Sequence, residues 1–287
     1  MSHLNEALSR VREAFDRDPS LEWQRLDVFP RSRLEYFIVS AVLQRHLPPP
    51  SPLCQILDAG GGPGRYTVAL AAEGYRVTLL DLSSELLRLA RQRLVDADAD
   101  IQRNVIGIVE GSITDLSPFP DGHFSAVLCL GGVLSFLLDP ASQRGALSEL
   151  IRVTRPGGLL FITVLNRFGG YRGALECPPS PDSLAGIQRM AETGIRVLEM
   201  LQVPAYWFLP EEFTALLTAT GLEIEQLYGV HGIAAHASDE YLGSIMADPE
   251  QWRVWSQLLL DTCNHPTVYG LSYHLLAVAR RPHSRRR

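Results

Sequence analysis

The chain has 287 residues, of which 46% are hydrophobic and 20% charged, and its formal net charge at pH 7 is −6. This composition is ordinary for a soluble globular protein with a full core, built as one large domain or as one domain with an appendage. The negative charge excludes a broad attraction to nucleic-acid phosphates, and no apolar run approaches the roughly 20 residues that a membrane span needs.

Two helices are predicted near the N-terminus, where apolar residues recur at helical spacing over Leu4–Phe15 and Leu34–Leu47. The N-terminus contains acidic residues and no apolar signal core, so we expect a cytoplasmic protein. The proline-rich segment Pro48–Pro52 cannot continue a helix. We therefore predict an N-terminal helical cap over residues 1–50 and a main domain over residues 51–287.

The stretch 54–81 predicts a strand, a tight turn, a helix and a second strand. An apolar run ends in Asp58 and precedes a glycine-rich turn, and a second apolar run, Val77–Leu80, ends in Asp81. Asp81 follows the first glycine of the turn by about 20 residues, the spacing at which an acid accepts hydrogen bonds from ribose hydroxyls. This unit therefore predicts a nucleoside site.

Glycines alternate in this turn, at Gly60, Gly62 and Gly64. A dinucleotide site needs a third glycine at the position that Arg65 occupies here, so that helix and diphosphate approach closely. The turn therefore favours a small zwitterionic amino-acid tail. An oxidoreductase that uses a dinucleotide is the weaker hypothesis.

The rest of the chain alternates strands and helices. Strands are predicted near Gln55–Ala59, Tyr75–Asp81, Val105–Glu110, Ser125–Leu130, Gly158–Leu165, Leu222–Val230 and Tyr273–Ala279. Helices are predicted near Arg65–Glu73, Ser84–Asp96, Pro140–Thr154 and Pro210–Thr220. This alternation is typical of an α/β fold, with a mostly parallel sheet and helices on both faces.

Two insertions interrupt the alternation, at about 168–205 and 231–268. The first contains a predicted helical run, Ser183–Leu201, and the second carries Trp252 and Trp255. Both follow the carboxyl ends of strands, where ligands bind in open α/β sheets. We interpret them as the lid and the wall of a substrate pocket.

The four cysteines are scattered and include no C-x-x-C pair: Cys54, Cys129, Cys177 and Cys263. We expect small buried hydrophobes in a reducing compartment and neither a disulfide framework nor a zinc site. The histidines show no metal-ligand spacing, so no metal site is predicted. The basic run over 280–287 is interpreted as a solvated tail.

The glycine turn and Asp81 resemble the class I methyltransferases that use S-adenosylmethionine. Three later segments keep the resemblance in the same order, Glu110–Leu116, Phe124–Gly132 and Glu149–Arg167. The resemblance covers residues from about 56 to 166 and resumes from about 209 to 280. It implies a Rossmann-like, seven-stranded, mostly parallel sheet with a reversed last strand, and S-adenosyl-L-methionine as the cofactor.

The resemblance also implies roles for individual residues. The glycine turn touches the methionine part, Asp81 binds the ribose, and Asp58 binds either turn amides or the cofactor's amino group. Ser112 stands where the family usually has an acid, which leaves the partner of the adenine amino group open. Tyr36 or Arg31 reaches the methionine carboxylate, unless Tyr36 packs in the core. The expected cofactor-binding residues are Tyr36, Asp58, Gly60, Gly62, Gly64, Asp81, Leu82, Ser112, Ile113, Leu130 and Gly131.

Methyl transfer from a sulfonium is an in-line displacement, so alignment supplies most of the acceleration and few catalytic groups are obligatory. Where a general base acts, histidine suits a reaction near neutral pH. His231 and His236 follow the sixth predicted strand, on the expected pocket side, and are the candidate catalytic residues; the alternative is a structural histidine at each position. The acceptor site is expected to be lined by Tyr171, Arg172, Tyr206 and Trp207.

The leading hypothesis is a methyltransferase that moves a methyl group to oxygen, nitrogen or sulfur of a small-molecule acceptor. The chain lacks the D/N-P-P-Y/F run and the Pro-Cys pair that mark methylation of amines in DNA or protein glutamine and of cytosine carbon. A protein acceptor and a non-catalytic cofactor-binding module remain alternatives. A homodimer is the assembly that we consider.

Overall fold

The computed structural model describes residues 3–176 and 181–283. Cys177 and the arginines from position 285 onward, which enter the predictions above, lie outside the described residues. Cys54, Cys129 and Cys263 are buried free thiols, and burial raises the pKa of Cys129 to about 12. The prediction of small buried hydrophobes is confirmed for these three cysteines.

A seven-stranded sheet with the order β3-β2-β1-β4-β5-β9-β8 forms the centre of the fold. Strands β1 to β5 run parallel, and β9 lies antiparallel between β5 and β8. The predicted sheet with a reversed last strand is confirmed. The strands of this sheet are β1 Gln55–Ala59, β2 Arg76–Asp81, β3 Val105–Glu110, β4 Phe124–Cys129, β5 Thr154–Leu165, β8 Glu223–Gly229 and β9 His274–Arg280.

Helices pack on both faces of this sheet, as predicted. Among the described residues, no helix combines the length and apolarity that a bilayer crossing requires. The helices are α1 His3–Arg17, α2 Pro19–Val28, α3 Pro30–His46, α4 Arg65–Ala72, α5 Ser84–Val95, α6 Ala99–Asn104, α7 Pro140–Val153, α8 Arg167–Leu175, α9 Pro181–Thr193, α10 Pro210–Ala219, α11 Asp239–Ala247, α12 Pro249–Thr262 and α13 Pro266–Tyr269.

Alternate residues of the strands enter the cores on opposite faces of the sheet. Leu57 of β1 packs in one apolar cluster with α7 and α10, whereas its neighbour Ile56 packs in another with α3 and α12. Phe161 of β5 belongs to the same cluster as Ile56, and Leu160 to the cluster of Leu57. The period of two expected for strands buried on both faces is therefore observed.

The first insertion differs from its prediction. Its helix α9 ends at Thr193, and a separate hairpin follows, formed by β6 Ile195–Leu198 and β7 Val203–Tyr206. Gly194 has a φ of 76°, a left-handed conformation that ends a helix, and the residues after it are rich in β-branched side chains. The prediction of a helix over Ser183–Leu201 is wrong beyond Thr193.

Helix α2 was not predicted. Pro19 occupies its first turn, and the side chain of Asp18 accepts a hydrogen bond from the amide of Leu21. These are ordinary helix-starting features. The helix lacks an apolar period because its inner side carries Glu22 and Arg25, which line the clefts described below.

Candidate functional site

The turn after β1 is tight because it is built from glycine. The amides of Gly60 and Gly61 both donate to the carbonyl of Leu80, at 2.7 and 3.2 Å, and so join the turn to the end of β2. Gly60 has a φ of 82°, and a Cβ there would lie 2.5 Å from Cγ2 of Val133. A side chain at this position would force the neighbouring segment to move.

Asp81 is fixed by the same turn. Its Oδ2 accepts from the amide of Gly62 at 2.8 Å, and its Oδ1 accepts from the amide of Ser83 at 2.9 Å. Burial raises the pKa of Asp81 to about 6, although both hydrogen bonds act to lower it. Each carboxylate oxygen retains a further lone pair for a ligand hydroxyl.

Asp58 is a buried carboxylate with one free oxygen. Thr67 donates to its Oδ2 at 2.6 Å, while Oδ1 is buried and has no hydrogen-bond partner within the described part of the chain. Burial raises the pKa of Asp58 to about 6, and the charge of Asp81 adds to the shift. The free oxygen offers a strong acceptor to a cationic or amine group.

The glycine turn and the two aspartates border one cleft, which we call the glycine cleft. It has about 1030 Å³ of empty space, part of it open to solvent. A Cβ on Gly62 would lie 3.7 Å from Leu86, its nearest described neighbour, so no described side chain crowds the space beside its Cα. Nine of the eleven residues expected to bind the cofactor line this cleft: Asp58, Gly60, Gly62, Asp81, Leu82, Ser112, Ile113, Leu130 and Gly131.

The two other expected residues lie outside the lining of the glycine cleft. Gly64 is the N-cap of α4, with a φ of 82°, and therefore shapes the turn from behind. The ring of Tyr36 packs 5.2 Å from that of Tyr66 and 5.3 Å from the guanidinium carbon of Arg65. Tyr36 is half-buried and belongs to none of the described apolar clusters, so its role stays a prediction.

Helices α1 and α2 cover the glycine cleft. Asp16 of α1 accepts a 2.5 Å hydrogen bond from the hydroxyl of Ser83, next to Asp81. Trp23 of α2 lies between the guanidinium carbons of Arg65 and Arg93, at 4.8 and 4.6 Å from its ring. These polar and cation–π contacts dock the N-terminal helices near the carboxyl ends of β1 and β2.

A second cleft adjoins the first, and we call it the lid cleft. It has about 1460 Å³ of empty space and is walled by α2, α3, α8, the β6–β7 hairpin and the start of β9. The residues that line both clefts mark their junction: Phe15, Glu22, Arg25, Gly131 and Phe136. A ligand in the lid cleft can therefore reach a ligand in the glycine cleft.

A series of linked ion pairs lies beside this junction. The guanidinium of Arg25 lies 2.8 Å from the carboxylate of Glu22 and 3.6 Å from that of Glu35. Oε2 of Glu35 is also 3.5 Å from Nδ1 of His274. Burial opposes the ionisation of Glu35, but the charges of His274 and Arg25 outweigh it and hold its pKa well below the usual range.

The two histidines expected to act as bases occupy different environments. His231 lines the lid cleft and is 3% exposed, and burial lowers its pKa to about 3, so its imidazole is neutral at pH 7. Its Nδ1 has no hydrogen-bond partner among the residues described. His236 is exposed at the end of a short turn, and neither cleft includes it among its described lining residues.

The expected acceptor-site residues are only partly brought together. Trp207 lines the lid cleft, and its indole Nε1 is buried and lacks a partner in the described chain. Tyr171, Arg172 and Tyr206 are absent from the described lining of this cleft. Arg31, expected at the methionine carboxylate, instead lines the lid cleft and donates to the carbonyl of Ala237 at 3.1 Å.

The sequence analysis missed three polar residues at or beside the junction: Arg25, Glu35 and His274. One signal was available for Glu35, which stands between the buried residues Leu34 and Ile38 on the apolar side of a helix. A charged residue in such a position needs a partner or a function. No comparable pattern marks His274, which begins a strand buried on both faces.

Residues 57–162 match the model of the methyltransferase domain family. Over this stretch the chain is similar to methyltransferase domains, and S-adenosylmethionine is the cofactor that this similarity indicates. In Xanthomonas campestris pv. campestris (strain B100), a ubiquinone biosynthesis O-methyltransferase is 34% identical over 116 residues, which are 40% of this chain and 45% of that protein. The corresponding enzyme of Xanthomonas axonopodis pv. citri (strain 306) is 31% identical over 177 residues, or 61% of this chain and 65% of that protein.

These relatives are matched over less than two thirds of their own length. Among solved structures, the Burkholderia thailandensis 1,6-didemethyltoxoflavin-N1-methyltransferase superposes with a TM-score of 0.57 at 19% identity, covering 98% of this chain and 91% of that one. The chain therefore shares the fold of such an enzyme and is similar in sequence to others with a different acceptor, so the acceptor has to be argued from the site.

Proposed function

We propose that this chain transfers the methyl group of S-adenosylmethionine to an oxygen atom of a small molecule held in the lid cleft. One observation carries the proposal: Trp207 and His231 both line that cleft, and each has a buried ring nitrogen, Nε1 and Nδ1, without a partner in the described chain. Buried polar atoms are normally hydrogen-bonded, so these two are suited to an oxygen-bearing ligand. The Xanthomonas relatives, named O-methyltransferases, support oxygen as the acceptor atom.

The residues of the glycine cleft fit the methyl donor. Asp58 Oδ1, an acceptor without a partner in the described chain, suits the amino group of the methionine part. The remaining lone pairs of Asp81 suit the ribose hydroxyls. The space beside Gly62 leaves room for the part of the cofactor that joins the amino group to the ribose. Ser112 and Ile113 are proposed to flank the adenine.

The protein supplies alignment and exclusion of water. S-adenosylmethionine, when bound, provides an electrophilic methyl group on a sulfonium. Gly131 lies where the two clefts meet, so it marks the place at which the acceptor oxygen approaches this methyl group. Phe15 and Phe136 lie edge to face, with ring centroids 5.7 Å apart, and cover the same junction with apolar surface. Holding two reactants in line in such a site removes most of the entropic barrier.

A small molecule is favoured over a protein acceptor by the walls of the lid cleft. The N-terminal helices and the first insertion enclose it from two sides, and the start of β9 closes its inner end. A nitrogen or sulfur acceptor of similar size is the second candidate, because the cleft also contains the carboxylates of Glu22 and Glu35, which suit an amine.

The proposal is tested in two parts. In isothermal titration, S-adenosylhomocysteine should bind the parent protein, and Asp81→Ala should weaken the binding at least tenfold, since a hydrogen bond to a charged group contributes about 1.5–3 kcal/mol. Asp96→Ala, at the exposed end of α5, is the matched control and should bind like the parent.

The second part identifies the acceptor atom. The protein is incubated with S-adenosylmethionine carrying a trideuterated methyl group and with catechol or the corresponding amine, 2-aminophenol. Mass spectrometry should find the label on a phenolic oxygen. Label on nitrogen alone, or on the protein itself, would overturn an oxygen acceptor, and failure of S-adenosylhomocysteine to bind would overturn the methyl-transfer proposal as a whole.

A further inference from the structure

A buried carboxylate and an imidazole meet at the inner end of the lid cleft. Glu35 of α3 and His274 of β9 are 5% and 8% exposed, and Oε2 of Glu35 lies 3.5 Å from Nδ1 of His274, at ion-pair distance. This Nδ1 makes no hydrogen bond within the described residues, so the carboxylate is its nearest described ion-pair partner. The opposite ring nitrogen points toward Gly132, because a Cβ on that residue would lie 3.8 Å from Nε2 of His274. Gly132 follows Gly131, which lines both clefts.

We propose that His274 is the proton acceptor of the methyl transfer and that Glu35 is its positioning residue. This inference rests on the proposed function, since it needs a hydroxyl acceptor in the lid cleft. A carboxylate beside one ring nitrogen holds the imidazole in the tautomer that leaves the other nitrogen free to take a proton. The carboxylate also stabilises the imidazolium that forms.

The charged groups beside His274 carry an excess of negative charge. Glu22 and Glu35 contribute two negative charges and Arg25 one positive charge, all within linked ion pairs beside the imidazole. The net charge of this group is therefore −1. Arg31 of α3 lines the same cleft but pairs with Asp239 at 3.7 Å and with Glu176 at 3.7 Å, which offsets its charge.

Neighbouring titratable groups act less directly on the pair. Tyr66 of α4 faces Glu35, and burial together with the charge of Glu35 raises its pKa well above the usual range, so it stays neutral. Tyr273, next to His274 with a ring separation of 5.4 Å, has a pKa raised to about 12 by burial and is also neutral. Arg172 bears on His231, whose ring stacks 6.1 Å from that of His274.

The other histidine candidates lack this support. Burial lowers the pKa of His231 to about 3, whereas His274 has the carboxylate of Glu35 beside it. His231 therefore suits a hydrogen bond to the acceptor and not the uptake of its proton. His236 is exposed and absent from the described lining of both clefts.

The proposed step conserves atoms and charge. The hydroxyl proton of the acceptor moves to Nε2 of His274 while a lone pair of its oxygen forms the bond to the methyl carbon. The carbon–sulfur bond breaks, and its electron pair remains on sulfur, which becomes a neutral thioether. The positive charge of the sulfonium is thus replaced by that of the imidazolium, next to Glu35.

The test compares two acceptors in single turnovers at pH 8: catechol, which is mostly protonated, and 4-nitrocatechol, which is already ionised. His274→Asn should slow the methylation of catechol about 100-fold or more, the range usual for loss of a general base, and that of 4-nitrocatechol less than fivefold. Glu35→Gln should slow catechol about tenfold. A similar loss with both acceptors would show a merely structural role and overturn the proposal.

The chain offers a matched control pair remote from both clefts. Glu225 Oε2 lies 3.7 Å from Nδ1 of His46, and neither residue is among those described as lining a cleft. Glu225→Gln and His46→Asn should leave the rates with both acceptors at the parent level. Losses in the controls equal to those in Glu35→Gln and His274→Asn would overturn the proposal.

A readout without turnover separates this inference from the proposed function. In protein with ¹⁵N-labelled histidine and bound S-adenosylhomocysteine, the tautomer of His274 is read by NMR at pH 8 in the parent and in Glu35→Gln. The ring proton should lie on Nδ1, beside the carboxylate, in the parent and should move toward Nε2 in the variant. If catechol is not methylated while this change of tautomer is seen, the hydroxyl acceptor fails and the pair stands; if the tautomer is the same in both proteins, the pair itself fails.

Discussion

Two buried carboxylates form the polar floor of the glycine cleft. Burial raises the pKa of both Asp58 and Asp81 to about 6, and the two charges repel each other. At neutral pH both are ionised in an environment that disfavours charge. Such an arrangement costs stability and suits a ligand that brings donors and positive charge to the site.

Replacing Asp58 by asparagine should make the protein more stable at neutral pH. The folded pKa of about 6 lies above the ordinary 3.8, so the destabilisation is absent below pH 4, grows between pH 4 and 6 and is complete above. The shift corresponds to about 3 kcal/mol, part of which an unpartnered amide would cancel. We expect the free energy of unfolding in urea to rise by about 1–2 kcal/mol at pH 7.5 and to fall by about 1–2 kcal/mol at pH 4, where only the cost of the unpartnered amide remains.

The control for this prediction is Asp261→Asn, an exposed aspartate on α12, which should change stability at neither pH. Equal stability of Asp58→Asn and the parent at pH 7.5 would contradict a buried, ionised Asp58. Asp58→Asn should also bind S-adenosylhomocysteine less tightly than the parent, because the amino group of the ligand loses its charged partner.

Residues of the glycine cleft could be predicted because their chemistry is local. Asp58, the glycines and Asp81 lie within one strand–turn–strand unit, and spacing alone places them together. Glu35 and His274 could not be paired in this way. They are far apart in sequence and meet only because β9 enters the sheet beside β5, which no local pattern encodes.

At the scale of elements, the docking of α2 controls access to the glycine cleft. Its contacts with the rest of the molecule are mainly polar, through Trp23 between two arginines and through the ion pair of Asp27 with Arg65. Leu26 is the buried residue of this helix. An element held in this way can open without unfolding the core.

We therefore expect Trp23→Ala to weaken the binding of S-adenosylhomocysteine by about 5–30-fold. The estimate follows from the loss of two partly exposed cation–π contacts of about 0.5–1 kcal/mol each. Isothermal titration measures the affinity. Trp255→Ala, on α12 and outside the described lining of both clefts, should bind like the parent; equal affinities of the two variants would mean that α2 does not cover the donor.

The elements of the sheet were predicted within a few residues because their apolar runs end at glycine, proline or aspartate. β1 and β3 match their predicted bounds. The β6–β7 hairpin was missed because its strands have four residues each and are only partly buried, so they carry little periodicity. Helix α2 was missed because its inner side carries charged residues, so it shows no apolar period.

For the whole molecule, we propose one folding unit over residues 51–287. The N-terminal helices attach to this unit differently, one in its core and two over its cleft. Helix α3 is part of the core, since Leu34 and Ile38 are fully buried in the cluster that contains Phe161. Helices α1 and α2 instead cover the glycine cleft. The predicted cap over residues 1–50 therefore combines a structural helix and a cover.

Truncation of Phe161 should destabilise this unit as a whole. The side chain is fully buried in β5, at the centre of the sheet, and Phe→Ala changes in cores cost about 3–5 kcal/mol. Urea unfolding followed by circular dichroism should show this loss in one transition. Phe168→Ala, whose ring is 47% exposed on α8, should stay within about 0.5 kcal/mol of the parent.

The place of β9 has a consequence for synthesis on the ribosome. Within the sheet that the structure describes, this strand is made after the six others, yet it lies between β5 and β8 and bonds to both. A nascent chain that lacks β9 exposes the unpaired edges of β5 and β8. It also leaves the inner end of the lid cleft open, because His274 is not yet in place. We expect such a chain to need protection by chaperones until β9 has entered the sheet. A premature stop before β9 should yield a product that aggregates through these edges.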